Sequence, residues 1–246
     1  MSKILGKRYI LGEEIYKDDD SRVVLYEAKD KISKELLAIK VFNLKEDKNI
    51  DLKKELFSRE YHSLVNLKHN NIVKYIDAGK DEDILYIVME YLDYNTLNEY
   101  IKTKDVTLED KIKIMINILN GVILAHENGI IHRDLNPNNI MICNPDELKI
   151  IDFGISKIKD YIYDSNTTVK CYMTVEYAAP EQLLRSDTKF ESDIYSLGLI
   201  LAYLISEKVP PKNKDQVYDY ISEIPISQNL KDLMHNMTKY KVDDRI

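Results

Sequence analysis

The sequence predicts an α+β chain of two lobes, a small antiparallel β-rich lobe with one helix and a larger lobe that is mainly α-helical. Three observations predict it. Short apolar runs separated by charged turns fill most of the first ninety residues, apolar spacings of three and four take over after Leu92, and Ile194 to Ser206 carry no charge.

In chain order, Ile10-Leu11, Val23-Val24-Leu25 and Leu36 to Val41 are strand-like and read as an antiparallel meander. A helix is expected from about Asp51 to Leu67, then strands over Ile72 to Ile76 and Ile84 to Tyr91. Thr107-Leu-Glu-Asp110 has the form of a capping box with Asp in place of the usual Glu. Behind it Leu108, Ile112, Met115, Leu119 and Val122 step by four and three as far as Asn128-Gly129, which predicts an amphipathic helix with those residues as its apolar face. The uncharged run at 194–206 is too short to cross a bilayer and suits a helix buried inside a domain, and Leu230 to Lys239 adds another helix.

Composition narrows the function. A net charge of -7 over 246 residues argues against nucleic acid or an anionic membrane as the main partner, since both need a basic surface. Cys143 and Cys171 form no C-x-x-C pair and no secretory segment follows Met1, so a reduced cytoplasmic setting is expected, with no membrane segment in this stretch.

Charges in apolar places point to chemistry. Period-two alternation puts Lys40 on one strand face with Leu36, Ala38 and Phe42, where a lysine must snorkel or find a partner. Helical spacing sets Glu60 on a stripe between Leu56 and Leu64, so a Lys40–Glu60 ion pair is expected. Asp134 and Asn139 flank a polar loop between apolar runs, and Asp152 ends a short strand beside Gly154. Two carboxylates and a carboxamide offered from loop ends suit Mg²⁺ and a reacting hydroxyl.

In order, A-I-K (38–40), Glu60, H-R-D-L-x-x-x-N (132–139), D-F-G (152–154) and A-P-E (179–181) match the protein-kinase signature set. The chain resembles the eukaryotic-type (Hanks-type) Ser/Thr protein kinases, and P-E-Q after Ala179 with D-I-Y-S-L-G at 193–198 resembles their bacterial branch. The resemblance implies the two-lobed kinase fold, with an N-lobe over 1–89, a hinge over 90–95 and a C-lobe over 96–246 that lacks the family's final helix.

It also implies roles. Lys40, held by Glu60, orients the ATP phosphates; Asn139 and Asp152 hold Mg²⁺; Asp134 accepts the substrate hydroxyl's proton. Leu25, Ala38 and Met141 sandwich adenine, Met89 is the gatekeeper, and Glu90 to Leu92 form the hinge. Leu64, Tyr75, His132 and Phe153 form a spine, Asp193 anchors the H-R-D backbone, and Glu181 pairs with Arg245. Thr174 sits against the catalytic aspartate, while Thr168 or Thr167, once phosphorylated, meets Arg133 and Lys157. Substrates are proteins, with self-association for trans-autophosphorylation.

Two departures stand out. The family's lysine two residues after the catalytic aspartate is here Asn136, and the glycine-rich loop is replaced by I-Y-K-D-D-D-S-R-V-V-L, two residues longer and without glycine. A pseudokinase acting as an allosteric or interaction module is the alternative these departures support. A small-molecule phosphotransferase of the aminoglycoside-kinase type is a third reading, against which stands M-T-V-E-Y-A-A-P-E, similar to a peptide-binding loop.

The aspartates set a first test. A carboxylate about 4 Å from a phosphate charge costs roughly 4 kcal/mol at an effective dielectric of 20, so Asp18 to Asp20 are expected to point to solvent. Replacing all three by Asn should then leave Mg-ATP affinity nearly unchanged in calorimetric titration. A gain of about tenfold or more would instead set the carboxylates against the phosphates.

Overall fold

The alternating N-terminal segments form a six-stranded antiparallel sheet in the order β1-β2-β3-β4-β6-β5. Its strands are Ile4–Leu5 (β1), Tyr9–Lys17 (β2), Val23–Asp30 (β3), Leu36–Asn43 (β4), Tyr75–Asp81 (β5) and Ile84–Glu90 (β6). This computed structural model describes residues 4–17, 23–44, 54–55, 57–58, 61–62, 64–153, 174–184 and 188–246. They divide into two units, one drawn from Met1–His69 and Val73–Asp93, the other from Asn70–Ile72 and the described chain after Tyr94.

In the first unit β4 is flanked on both sides, by β3 and β6. Leu37, Ile39 and Val41 point to one core with Leu5, Tyr9, Leu11, Ala28, Tyr86 and Val88. Ala38, Lys40 and Phe42 take the other face because strand side chains alternate. There the Phe42 ring meets Phe57 edge-on at 6.0 Å, so Phe57 packs on the face that carries Lys40.

One expected strand shifts. The run from Ile72 begins its ladder only at Tyr75, because the Asn71 carbonyl accepts from Ile150 N (2.8 Å) and Ile72 forms an isolated bridge to Ile150 in the second unit. The apolar pattern marked burial correctly, but the burial is against a different sheet.

The second unit contains a small sheet of Asn95–Thr96 (β7), Ile140–Asn144 (β8) and Glu147–Ile150 (β9). Its helices are Leu97–Thr103 (α1), Leu108–Glu127 (α2), Pro180–Leu183 (α3), Phe190–Ser206 (α4), Val217–Ser222 (α5) and Gln228–Met237 (α6). A complete capping box opens α1: Thr96 Oγ1 accepts from Glu99 N, and the Glu99 carboxylate accepts from Thr96 N. At α2 the Thr107 hydroxyl accepts from Asp110 N, but the shorter Asp110 carboxylate accepts from that hydroxyl instead of reaching the backbone.

The apolar face of α2 is rotated from the expected one. Leu108 and Ile112 are 53% and 45% exposed, whereas Lys111, Ile114, Met115, Ile118, Gly121, Val122 and Ala125 are buried. Branched residues surround most of this helix, so periodicity alone does not fix its phase. Packing fixes it: a Cβ at Gly121 would lie 2.9 Å from Ile150 Cδ1 and 3.1 Å from Asn71 O, so a glycine there permits the close approach of this face. Lys111 is buried because its Nζ reaches the Glu207 carboxylate beyond α4.

The uncharged run becomes the centre of α4, which is apolar all round and correspondingly buried. Gly198 lets α6 lie against it, since a Cβ there would meet Thr238 Cγ2 at 2.8 Å and Met237 Cβ at 2.9 Å. Gly198→Val is expected to destabilise the fold by about 1–3 kcal/mol through overpacking, which exceeds the roughly 1 kcal/mol by which glycine disfavours a helix. Urea unfolding checks it, and an unchanged midpoint would show that the two helices separate freely.

Candidate active site

In the first unit, Leu25, Ala38, Lys40 and Met89 lie on one face of three adjacent strands, in the cross-strand pairs Leu25–Lys40 and Ala38–Met89. Lys40 is only 6% exposed, so it does not reach water by snorkelling. Glu60 lies outside the described residues, as do Lys157, Thr167, Thr168 and Asp18 to Asp20. Glu90 ends β6 with its carboxylate accepting from Lys74 N at 2.7 Å, and Leu92 follows, half-buried.

In the second unit, the loop between α2 and β8 is organised by a carboxylate on α4. Asp193, 1% exposed, accepts from His132 N (2.8 Å), Arg133 N (3.0 Å) and His126 Nε2 (2.8 Å). Such a buried charge is tolerable only when its oxygens are satisfied, and these donors satisfy them. The backbone carrying Asp134 is thereby tied to the most buried helix.

Two residues of this region take the left-handed conformation that side chains disfavour, Arg133 at φ 72° and Asp152 at φ 67°. Such geometry persists where neighbours over-determine it. The Arg133 N–H goes to Asp193 and its carbonyl accepts from Gln182 Nε2 at 2.6 Å. Just before Asp152, the Ile151 N–H goes to Asn139 O (3.0 Å) and the Ile151 carbonyl accepts from His132 Nε2 (2.8 Å).

His132 therefore has a definite tautomer. A carbonyl only accepts, so Nε2 carries the proton, and Nδ1 accepts from Asp134 N at 3.3 Å. Its ring packs edge-on against Phe153 at 4.6 Å, both residues fully buried. Leu64 and Tyr75, the other two residues that the resemblance assigns to a spine, are each buried in the first unit.

Around Asp134 the sequence-predicted residues converge. Asn136 Nδ2 donates to Asp134 Oδ1 (3.1 Å) and to its carbonyl (2.9 Å), Asn139 Nδ2 donates to Oδ2 (3.1 Å) and the same carbonyl (2.7 Å), and Thr174 N approaches Oδ1 at 3.4 Å. Asn136 is 1% exposed, and its Oδ1 accepts from Asn138 N, capping the turn Pro137–Asn139. Because Asn139 Nδ2 faces Asp134, its Oδ1 lies on the other side of the amide; Met141 is half-buried on β8.

Glu181 and Arg245 form a bidentate pair, Nη1 to Oε1 at 2.7 Å and Nη2 to Oε2 at 2.8 Å, with the Ser192 hydroxyl also donating to Oε1. Sequence reasoning missed His126, Gln182 and Ser192. Only Gln182 carries a signal, its place three residues after Ala179, where its Oε1 accepts from Ala179 N as in a capping box.

Residues 20–246 match the family model described as protein kinase domain, and the chain belongs to that family. Its relatives set it in the bacterial, Hanks-type serine/threonine branch. The chain is 35% identical over 85% of its length to the probable serine/threonine-protein kinase PknB of Lactococcus lactis, covering 33% of that protein. It is 34% identical over 90% to the PknB of Mycobacterium tuberculosis (36% of that protein), and 39% identical over 63% to the PrkC of Bacillus subtilis (24%). The chain thus spans about a third or less of the length of these curated relatives. The fold is the two-lobed kinase fold expected from the sequence.

The Glu181–Arg245 pair yields a prediction. Burial works to raise the Glu181 carboxyl, but the Arg245 guanidinium and Ser192 hydroxyl prevail and hold it below the usual value. A carboxyl lowered in the folded state contributes stability that is present above its unfolded value near 4.5 and lost as pH falls through the folded value. Arg245→Met, which leaves a buried carboxylate unpaired, should cost about 3–5 kcal/mol at neutral pH. Its deficit in urea melts should shrink as pH falls below 4.5, and a pH-independent deficit would refute this account.

Proposed function

We propose that this chain is an ATP-dependent serine/threonine protein kinase that phosphorylates protein substrates and itself, with Asp134 as proton acceptor. The observation that carries the reading is the set of donors on the Asp134 carboxylate: Asn136 and Thr174 on one oxygen, Asn139 on the other. The substrate hydroxyl oxygen forms the new bond to the γ-phosphorus, the bond from that phosphorus to the β–γ bridging oxygen breaks, and the hydroxyl proton goes to Asp134. A carboxylate held on both oxygens loses little orientational freedom at that moment.

Asn139 and Asp152 offer the hard oxygens that Mg²⁺ prefers, and the hydrogen bond from Ile151 N to the Asn139 carbonyl keeps the two stretches of backbone near each other. When bound, the ion neutralises phosphate charge. Lys40 would orient the α- and β-phosphates, with Leu25, Ala38 and Met141 against adenine, Met89 as gatekeeper and Glu90 to Leu92 as hinge. The amide of Asn136 is directed to Asp134, so its role here is to position that carboxylate. The charge normally supplied by a lysine at this position is not replaced, which favours a slower enzyme.

The relatives are named as serine/threonine protein kinases, which favours this reading over a pseudokinase. Phosphorylation of Thr168 or Thr167, bound by Arg133 and Lys157, would order the segment before Thr174. A cytoplasmic location accords with the exposed free thiol of Cys143, and among the described residues no helix is long and apolar enough to cross a membrane.

Asp134→Asn and Lys40→Met are each expected to lower Mg²⁺-dependent transfer of labelled γ-phosphate by about a hundredfold or more while leaving the circular dichroism spectrum unchanged. Equal labelling by wild type and Asp134→Asn would reject the kinase reading and restore the pseudokinase.

A further inference from the structure

The turn that follows Thr174 is held in an unusual way. Four successive carbonyls are engaged: Thr174 O accepts from Tyr177 N (2.9 Å) and Ala178 N (3.2 Å), and Tyr177 O accepts from Ser196 Oγ of α4 (2.9 Å). The two between them, Val175 O and Glu176 O, accept from a single group, the Lys214 ammonium, at 2.7 and 2.9 Å. Lys214 begins the turn Lys214–Gln216 ahead of α5, and its Nζ also lies 5.6 Å from the centroid of the Tyr195 ring.

Thr174 O is satisfied within the turn, but Val175 O and Glu176 O are met by no ladder or helix, so a side-chain donor holds them in place. An ammonium has three donors and can serve two carbonyls and an aromatic face together. The Thr174 N–H at the start of the same turn touches Asp134 Oδ1. The shape of this turn and the position of the proton acceptor are therefore linked through one residue.

We propose that Lys214 is a positioning residue for the polypeptide acceptor, its ammonium fixing the Val175–Glu176 turn in the form that docks the substrate chain beside Asp134. The inference rests on the kinase reading above, and it gives that reading a residue which no sequence signal marks.

Charge makes the device sensitive to pH. Burial lowers Lys214 to about 8, against the opposing pull of the Glu176 carboxylate. Glu176 faces it from the turn and pairs also with Lys212 at 3.4 Å, Tyr195 faces it from α4 with Arg245 against the same ring at 4.9 Å, and Asp215 is its chain neighbour. Lys214 is cationic below pH 8 and loses that charge as pH rises through it. Its hold on the two carbonyls weakens in the same direction.

The test is steady-state kinetics with labelled Mg-ATP and myelin basic protein as acceptor, for wild type and Lys214→Met, from pH 7 to about 9.5. At pH 7 the variant should raise the acceptor KM about tenfold, as expected for lost hydrogen bonds to a charged group, while the KM for ATP stays within about twofold. The wild-type acceptor KM should climb as pH passes 8, and that of Lys214→Met should not. Equal acceptor KM values, or an equal rise in both KM values, overturn the proposal. Should the variant unfold, a wild-type acceptor KM that stays flat across the range overturns it alone. Absence of transfer by wild type overturns the kinase reading, and this inference with it.

Discussion

The contact between the Asp193 carboxylate and the backbone of His132 and Arg133 carries most of the second unit's organisation. A loop bearing a polar side chain such as Asp134 has no core of its own to fix it, and the N–H groups of a left-handed residue find no partner in a regular element. Asp193 supplies both from a helix that is buried all round and cannot shift without disturbing the core. Hydrogen bonds to a buried charge are worth roughly 1.5–3 kcal/mol each, which outweighs the order of 1–3 kcal/mol stored in the strained backbone at Arg133.

The N-terminal end of α4 acts as a hub because its polar residues are close in sequence and point to different partners. Ser192 donates to Glu181, Asp193 accepts from the catalytic loop and His126, the Tyr195 ring lies against Lys214 and Arg245, and Ser196 donates to Tyr177. A helix advances 100° per residue, so five consecutive positions sample its whole circumference. The turn after Thr174, the buried ion pair and the loop that carries Asp134 are thus referred to one rigid body. His132 extends the frame to Ile151 and so to the backbone just ahead of Asp152.

The replacement of a lysine by Asn136 alters the electrostatics of the site without loosening its geometry. A lysine there would bring a charge toward a transferring phosphoryl group, whereas the carboxamide is short, 1% exposed, and bonded to Asp134 and Asn138. Order near the carboxylate is kept while a charge is given up. Because charge neutralisation is a large part of phosphoryl-transfer catalysis, the proposed reaction would depend the more on the other groups assigned to that task, Lys40 and the oxygens offered to an ion by Asn139 and Asp152.

The sequence by itself determined the fold class, most strands of the first sheet and the buried helical run at 194–206, because alternation and an uncharged run are local signals, and its motif spacings singled out Asp134, Asn139 and Asp152 as candidates for one site. It also pointed to Asp193 with the catalytic loop and Glu181 with Arg245, through residues the family resemblance assigns. Only the tertiary structure decided the phase of α2, where apolar residues surround the helix and Gly121 selects the face that meets Ile150. Likewise it alone decided the allegiance of Ile72, the tautomer of His132, the inward turn of Asn136 and the grip of Lys214 on Val175 and Glu176. Each of these depends on a hydrogen-bond partner or a close contact distant in the chain, and periodicity carries no information about which distant group will arrive.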